Sequence, residues 1–155
     1  MMSVGIQMRT FSNVACCIMI FLTGATLQGA DEVVLRAGAA AVDISPQTLP
    51  AFQNGGFLQA KSNRVVDPLH ARALVIGDGS ETIAIVIVDS CMLPTSLCDK
   101  VKHLASQETG IPNDRILISA THTHMAPSAM LCLGCPADEP YVKYVPAQIA
   151  KSVIE

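Results

Sequence analysis

An amphipathic helix between two short apolar strands is the feature that most constrains the fold of this sequence. Residues 82–88 (Thr-Ile-Ala-Ile-Val-Ile-Val) form a nearly continuous apolar run, which is typical of a strand covered on both faces. Apolar residues then recur at helical spacing from Leu97 to Ala105, and Gly110 marks the end of that helix. A second apolar strand follows at residues 116–120. The pattern predicts helices packed on a sheet.

The other elements follow from the same periodicities and turn signals. They are a strand at residues 33–44, a strand at 69–76 that the Asp78-Gly79 turn joins to residues 82–88, and a last helix from about Tyr141. Thr95 or Ser96 is expected to cap the first helix. Residues 45–68, rich in turn-forming residues, predict a long irregular loop. This order indicates an α/β fold, a layered domain with a mixed β-sheet flanked by helices.

Composition excludes several classes of protein. Of the 155 residues, 50% are hydrophobic and only 15% are charged, so the chain is not a disordered charged tail. There is no Trp, aromatics make up 4%, and the formal net charge is −3. Binding to nucleic acid needs a basic surface or stacking aromatics, so no nucleic-acid partner is expected.

The N-terminus resembles a secretory signal peptide. Arg9 precedes a short apolar run at residues 14–22, small residues lead to Ala30, and charges begin at Asp31. The run is shorter than the about 20 residues that span a membrane comfortably, although an uncleaved anchor is the alternative. We therefore expect residues 1–30 to be removed and residues 31–155 to be exported, to a periplasm, a cell surface or the medium.

The sharpest chemical motif is the pair His122 and His124. In an extended backbone, residues two apart point to the same face and lie about 7 Å apart. The pair directly follows the buried strand at 116–120, and open α/β sheets place ligands at the carboxyl ends of strands. Histidine is a common metal ligand, so the pair is a candidate metal site. The alternative is two loop histidines that only hydrogen-bond their surroundings.

Other polar residues allow more than one interpretation. Cys132 and Cys135 form a Cys-x-x-Cys, which supplies half a structural zinc site, a disulfide or two free thiols. Asp89 lies at the end of an apolar strand, and it is either an active-site carboxylate or a turn cap. Arg72 lies on a strand and is either a functional residue or a salt-bridged one.

Several segments together resemble the neutral/alkaline non-lysosomal ceramidases. Residues 36–46 (Arg-Ala-Gly-Ala-Ala-Ala-Val-Asp-Ile-Ser-Pro) resemble the opening strand of that family, and residues 71–76 its second strand. Residues 118–124 (Ile-Ser-Ala-Thr-His-Thr-His), followed by Ala126-Pro127, resemble its motif Ala-Thr-His-Thr-His-Ser-Gly-Pro. Gly55-Gly56-Phe57 falls where the family has a glycine-containing loop. The chain is similar to the N-terminal part of the family's catalytic domain.

The resemblance implies a zinc-dependent hydrolase of a linear amide, such as an N-acylsphingosine. Zinc-activated water would attack the amide carbonyl, with one zinc ion as the cofactor. Carried over by position, His122 is the metal ligand and His124 a catalytic contact to the substrate or its oxyanion. Gly55, Gly56 and Arg72 are the expected substrate-binding residues. The expected partner is a lipid or another small amide, with peripheral association with a membrane.

Two departures from the family pattern limit these expectations. Met125-Ala126 stands where the motif has Ser-Gly, which leaves the substrate open. The family's other zinc ligands, a His, a Glu and a Tyr, lie further downstream than Glu155, so we expect an incomplete N-terminal portion of a larger catalytic domain, inactive and poorly folded alone. The alternatives are a non-catalytic exported α/β domain or remnant, and a small metal-binding module that uses both the histidine pair and Cys132 with Cys135.

Overall fold

The computed structural model describes residues 34–155, which form six strands and two α-helices. In chain order the elements are β1 (Arg36–Asp43), β2 (Ala51–Gln53), β3 (Ala60–Ser62), β4 (His70–Gly77), β5 (Thr82–Val88), α1 (Thr95–Thr109), β6 (Ile116–Ala120) and α2 (Glu139–Ile154). A single 3₁₀ turn, Asn113–Arg115, leads into β6. The predicted signal peptide, residues 1–30, lies outside the described residues.

Four strands form one mixed sheet in the order β1-β4-β5-β6. β4 pairs antiparallel with β1 and with β5, and the β4–β5 hairpin closes through the predicted turn, where the Asp78 N–H donates to the Glu81 carbonyl at 3.1 Å. β5 and β6 pair parallel, because α1 carries the chain back between them. The predicted α/β class with a mixed sheet is therefore confirmed.

The core lies between the sheet and the two helices. On the sheet side, Ala73 of β4 pairs with Val86 of β5, and both are buried. Against them lie Val101 of α1 with Val145 and Ile149 of α2, all completely buried. Burying a valine or isoleucine side chain in this way contributes about 1.5–3 kcal/mol. This core fixes β5 and β6, the two strands that lead into the candidate site.

The opposite face of the sheet is open within residues 34–155. Ile83 and Ile87 of β5 are 43% and 38% exposed, and Leu117 of β6 is 59% exposed. Within residues 34–155, β5 is therefore covered on one face, whereas the apolar run predicts cover on both. The physical reason is that both helices pack on the other face, and the described residues form no third layer.

The ends of α1 are set by a proline and a glycine. The predicted cap by Thr95 or Ser96 is wrong, because the helix follows Pro94 and no side chain caps its first turn. The other end is as predicted: Gly110 has a left-handed φ of 76°, and its N–H donates to the Ser106 carbonyl at 2.9 Å. Neither helix in residues 34–155 has the length and apolarity needed to span a membrane.

The segment at 45–68, predicted as an irregular loop, contains the short β2–β3 hairpin. Asp138, which is 5% exposed, ties this hairpin to α2. One of its carboxylate oxygens accepts the Tyr141 N–H at 3.1 Å and the other accepts the Phe52 N–H at 2.9 Å. Asp138 thereby caps α2, which begins slightly before the predicted Tyr141. The Ser128 N–H donates to the Phe52 carbonyl at 2.7 Å, so β2 lies beside the segment that follows β6.

Candidate metal centre and adjoining cavity

The candidate site lies at the carboxyl ends of the parallel strands β5 and β6. The two strands end at the same edge of the sheet, where α/β folds place their ligands. The Thr121 N–H donates to the Val88 carbonyl at 2.9 Å, which continues the pairing just beyond β6. The chain then reaches Cys91 after β5 and His122 after β6. These two residues meet although 31 positions separate them.

His122 and His124 lie side by side after β6. Their Nε2 atoms are 3.4 Å apart, and their ring planes meet at 76°. The prediction of an extended backbone is wrong here, because His122 has a left-handed φ of 63°. The turn brings the ring nitrogens together. A non-glycine residue in this region costs about 1–2 kcal/mol, and such strain is common at functional sites.

A backbone hydrogen bond orients His122. Its Nδ1 lies 2.8 Å from the Cys91 carbonyl oxygen. A carbonyl oxygen can only accept, so Nδ1 carries the proton and donates it, and Nε2 keeps the lone pair that faces His124. Histidines that bind metals usually donate their second ring nitrogen to a carbonyl or carboxylate in this way. The hydrogen bond thus sets the tautomer that a metal ligand needs.

Cys91, His122 and His124 form a group of potential metal ligands. The Cys91 Sγ and one nitrogen from each ring lie within 4.8 Å of one another, and no other such group of three occurs within residues 34–155. Zinc takes sulfur and imidazole ligands, and two nitrogens at zinc-ligand distance lie about 3.3 Å apart in a tetrahedral site. The residues therefore fit zinc. Without a metal, burial and then the neighbouring Cys132 thiolate raise the pKa of the Cys91 thiol.

Gly55 packs directly against the side chain of His124. A Cβ at Gly55 would lie 2.4 Å from His124 Cγ, and the φ of 103° also favours glycine. The Gln53 Nε2 donates to the His124 carbonyl at 2.7 Å, which holds the same loop. By contrast, a Cβ at Gly56 would approach nothing closer than the Leu58 carbonyl oxygen, at 3.5 Å. Of the two predicted glycines, only Gly55 contacts the histidine pair.

A cavity of about 480 Å³ is lined by Thr123 and Met125, the chain neighbours of His124, although none of Cys91, His122 and His124 lines it. Apolar side chains supply most of its walls, among them Leu49, Phe52, Val65, Val66, Leu69, Met125, Ala126 and Pro127. Its polar lining includes Asp89, which follows β5, and Thr123, which lies between the two histidines. A largely apolar cavity with a few polar groups is typical of a small-molecule site. The cavity therefore has the character expected for the apolar part of a ligand.

Solved structures resemble this fold, whereas no protein-family model and no curated protein matches the sequence. The neutral ceramidase from Pseudomonas aeruginosa aligns with a TM-score of 0.69 and 22% identity, over 79% of this chain and 21% of that chain. The chain has the fold of part of a neutral ceramidase. A ceramidase complexed with C2 aligns with a TM-score of 0.65 and 22% identity, over 78% of this chain and 20% of that one.

The match confirms the ceramidase-like fold that the resemblance implied. The chain spans about a fifth of the length of these two ceramidases. In those two ceramidases, the region that matches this chain is a portion of a larger chain. At 22% identity, the likeness establishes the fold, and the function rests on the residues of the site.

Arg72, predicted to bind substrate, lies on the open face of the ceramidase-like sheet. Its Nη1 pairs with the Asp89 Oδ2 at 2.8 Å, with the two side chains 50% and 19% exposed. The same oxygen accepts the His70 backbone N–H at 3.0 Å. Asp89 lines the cavity, and Arg72 is connected to the cavity through its ion pair with the Asp89 carboxylate. A direct contact between Arg72 and a substrate stays a prediction.

Cys132 and Cys135 lie outside the ligand group. They close a two-residue turn, in which each backbone N–H donates to the other's carbonyl at 3.0 and 2.9 Å. The turn residues Leu133 and Gly134 have φ of 49° and 81°. All four cysteines within residues 34–155 are free thiols. The alternative module that joined this pair to the histidines receives no support, because the cysteine beside the histidines is Cys91.

Cys91 is the residue at the site to which sequence reasoning gave no role. The available signal was its position, directly after Asp89 and Ser90 at the end of β5. Two buried strands joined by a helix pair parallel, so the residues just beyond their carboxyl ends share an edge of the sheet. This rule places Cys91, three residues beyond β5, near His122, two residues beyond β6.

Proposed function

We propose that this chain is part of an exported, zinc-dependent hydrolase of linear amides of the N-acylsphingosine type. One observation carries the proposal: His122 donates Nδ1–H to the Cys91 carbonyl and presents Nε2 to His124, at the sheet edge of a ceramidase-like fold. The solved relative that contains C2 is a ceramidase, which supports an amide with an apolar chain as the substrate.

The roles of the two histidines follow from their orientation. His122 holds zinc through Nε2, because its other nitrogen is occupied by the Cys91 carbonyl. A bound zinc ion supplies a Lewis acid for the amide carbonyl and lowers the pKa of water toward about 7. His124 lies next to the metal ligand and donates a hydrogen bond to the oxygen on which negative charge develops. Hydrolysis adds water across the C–N bond and releases a carboxylic acid and an amine.

The cavity supports an apolar chain on the substrate. Thr123 and Met125, which line it, flank His124 in the chain, so a substrate with its apolar chain in the cavity has its amide within a short distance of the histidine pair in this proposal. Its volume of about 480 Å³ is within the range of small-molecule sites. Asp89 and Thr123 provide polar partners for the amide or hydroxyl groups of a sphingosine-like amine.

We further propose that the site works at a lipid surface. The two loops that meet at the Gly55–His124 contact carry exposed apolar side chains: Phe57 is 86% exposed, Leu58 83% and Met125 75%. Apolar side chains clustered at the rim of a site are typical of surfaces that bind membranes or partners. Replacing Phe57 and Leu58 by serine should reduce binding to zwitterionic lipid vesicles, whereas Leu117→Ser on the open sheet face should not. Equal binding by both variants would refute this proposal.

The activity is tested with an N-acylsphingosine substrate, zinc and the full-length protein of which this chain is proposed to be a part. We expect hydrolysis that a chelator abolishes and zinc restores. Removing one oxyanion donor typically costs about 100- to 1,000-fold in kcat, so His124→Ala should lose that much, and His122→Ala should lose zinc as well. The control is His103→Ala, an exposed histidine on α1, which should leave activity unchanged. Hydrolysis that survives His122→Ala would contradict the proposal.

A second function is favoured by the ligand group itself. Cys91, His122 and His124 are close enough for a metal without any further residue. A chain that binds zinc tightly but hydrolyses no amide would therefore be a metal-binding domain with an inactive site. The same assay distinguishes the two functions, because only the enzyme turns over the substrate.

A further inference from the structure

Asp89 lines the cavity and lies at the same edge of the sheet as His122. The residues just before these two, Val88 and Thr121, are joined by a backbone hydrogen bond of 2.9 Å. Adjacent strands lie about 4.8 Å apart, so Asp89 and His122 leave the sheet as neighbours. The Asp89 carboxylate is therefore within the length of a small ligand from the proposed metal ligand.

Only one oxygen of the Asp89 carboxylate is engaged by the described part of the chain. Oδ2 accepts the Arg72 Nη1 at 2.8 Å and the His70 backbone N–H at 3.0 Å. No hydrogen bond within residues 34–155 uses Oδ1. A carboxylate oxygen only accepts hydrogen bonds, so Oδ1 offers an acceptor to a donor group of a ligand in the cavity.

Arg72 fixes the orientation of this carboxylate. One guanidinium nitrogen holds Asp89 Oδ2, and the other, Nη2, lies 3.4 Å from His70 Nδ1. The guanidinium is planar and rigid, so these two contacts set its direction. Because Arg72 and the His70 N–H together occupy Oδ2, Oδ1 is the oxygen that a ligand meets.

We propose that Asp89 selects substrates with a hydroxyl group beside the scissile amide, and that Arg72 is its positioning residue. The inference rests on the proposed amide hydrolase and names the part of the substrate that the cavity distinguishes. The substrates are N-acyl amino alcohols, whose hydroxyl donates to Asp89 Oδ1 while an apolar chain lies against the apolar walls. N-acyl amino acids are rejected, because their carboxylate would face that of Asp89.

Two substrates that share the amide and differ in the hydroxyls test the selection. They are N-acylsphingosine and an N-acyl alkylamine of the same chain lengths. The full-length protein that contains this chain should prefer the first by about 10- to 100-fold in kcat/KM, as expected for a hydrogen bond to a charged group. Asp89→Ala should lower this preference by about tenfold or more, through the hydroxylated substrate alone. An unchanged preference, or an equal loss for both substrates, would overturn the proposal.

Arg72 is tested by combining two substitutions. Arg72→Ala should lower the same preference less than Asp89→Ala does, since the carboxylate remains but is no longer held. In the double variant, Arg72→Ala should add nothing, because both residues act through one hydrogen bond to the substrate. A further loss of preference in the double variant would show that Arg72 contacts the substrate itself and would overturn its positioning role.

Asp67→Ala is the matched control for charge. Asp67 is an exposed carboxylate that lines the same cavity. This variant should keep the preference of the unmodified protein. If it loses as much preference as Asp89→Ala, the overall negative charge of the cavity makes the selection, and the role of Asp89 is overturned.

Binding to the metal-free protein separates this inference from the proposed activity. Without zinc, the proposed reaction does not occur, and N-acylsphingosine should bind about tenfold or more tightly than the N-acyl alkylamine. Asp89→Ala should remove the difference. Hydrolysis without any such selection overturns the role of Asp89 and leaves the hydrolase standing. Selection in binding without hydrolysis in the presence of zinc overturns the hydrolase and leaves a binding site for N-acyl amino alcohols.

Discussion

Replacing Gly55 by alanine is expected to separate His124 from His122. The added Cβ would lie 2.4 Å from His124 Cγ, 2.7 Å from its Cβ and 2.8 Å from its Cδ2. Carbon atoms in contact lie about 3.5–4.0 Å apart, so the imidazole must withdraw by about 1 Å. The Gln53 side chain holds the His124 carbonyl, so the movement falls mainly on the ring.

The displacement is large compared with what a positioned hydrogen-bond donor tolerates. A donor to a developing oxyanion must lie about 2.7–3.1 Å from it, so a shift of about 1 Å removes His124 from that position. We expect kcat to fall by about 100-fold, the loss typical of a catalytic group misplaced by about 1 Å. Alanine at a φ of 103° is also strained, and this costs about 1–3 kcal/mol in the free energy of unfolding.

The assay is hydrolysis of the N-acylsphingosine substrate by the full-length protein that contains this chain, together with urea unfolding of the metal-free protein. The matched control is Gly56→Ala, whose new Cβ would meet no atom closer than 3.5 Å. It should keep the kcat of the unmodified protein. If Gly55→Ala is as active as Gly56→Ala, the packing of Gly55 on His124 is not what positions this donor, and the reasoning is refuted.

Three further predictions concern residues around the site and the chain terminus. The buried Tyr141 hydroxyl has no hydrogen-bond partner within residues 34–155. Tyr141→Phe should therefore raise the free energy of unfolding by about 1 kcal/mol in urea titrations. A decrease of that size in the free energy of unfolding would show that the hydroxyl has a partner. Arg72→Ala should cost no more than about 1 kcal/mol in the same assay, because the pair with Asp89 is half exposed, and a larger cost would contradict this account. N-terminal sequencing of the exported protein should begin at Asp31; a chain that keeps residues 1–30 would disprove cleavage after Ala30.

Much of the fold could be predicted from local patterns. The apolar runs at 82–88 and 116–120 have the observed bounds of β5 and β6, because each run is set off by polar or turn-forming residues. Gly110 ends α1 because a left-handed φ requires glycine there. The β2–β3 hairpin could not be predicted, since its strands are three residues long and are held by Asp138, a residue far along the chain.

The exposure of the sheet could not be predicted from β5 alone. Ile83 and Ile87 look like core residues in the sequence, and their exposure depends on which face the helices occupy. The face of the sheet that a crossover helix covers depends on the packing of the whole sheet, and not on β5 alone. The run of apolar residues is the same whether a third layer is present or not.

The site is predictable in part. The motif and its position after β6 identify His122 and His124, and the structure brings their ring nitrogens together. Their geometry could not be predicted, because the left-handed φ of His122 accompanies the hydrogen bond to Cys91, 31 residues away. The sequence indicates Gly55 as a substrate contact, whereas the structure shows that it packs on His124. Both relationships are contacts between distant segments, and no local pattern contains them.

The central claim is that His122 holds the metal of a ceramidase-like site, with His124 beside it. The most direct measurement is an anomalous difference map at the zinc edge, from crystals of the full-length protein that contains this chain, grown with one equivalent of zinc. The account predicts a single peak at ligand distance from His122 Nε2, on the side that faces His124. A peak between Cys132 and Cys135, or no peak at the histidine pair at saturating zinc, would contradict it.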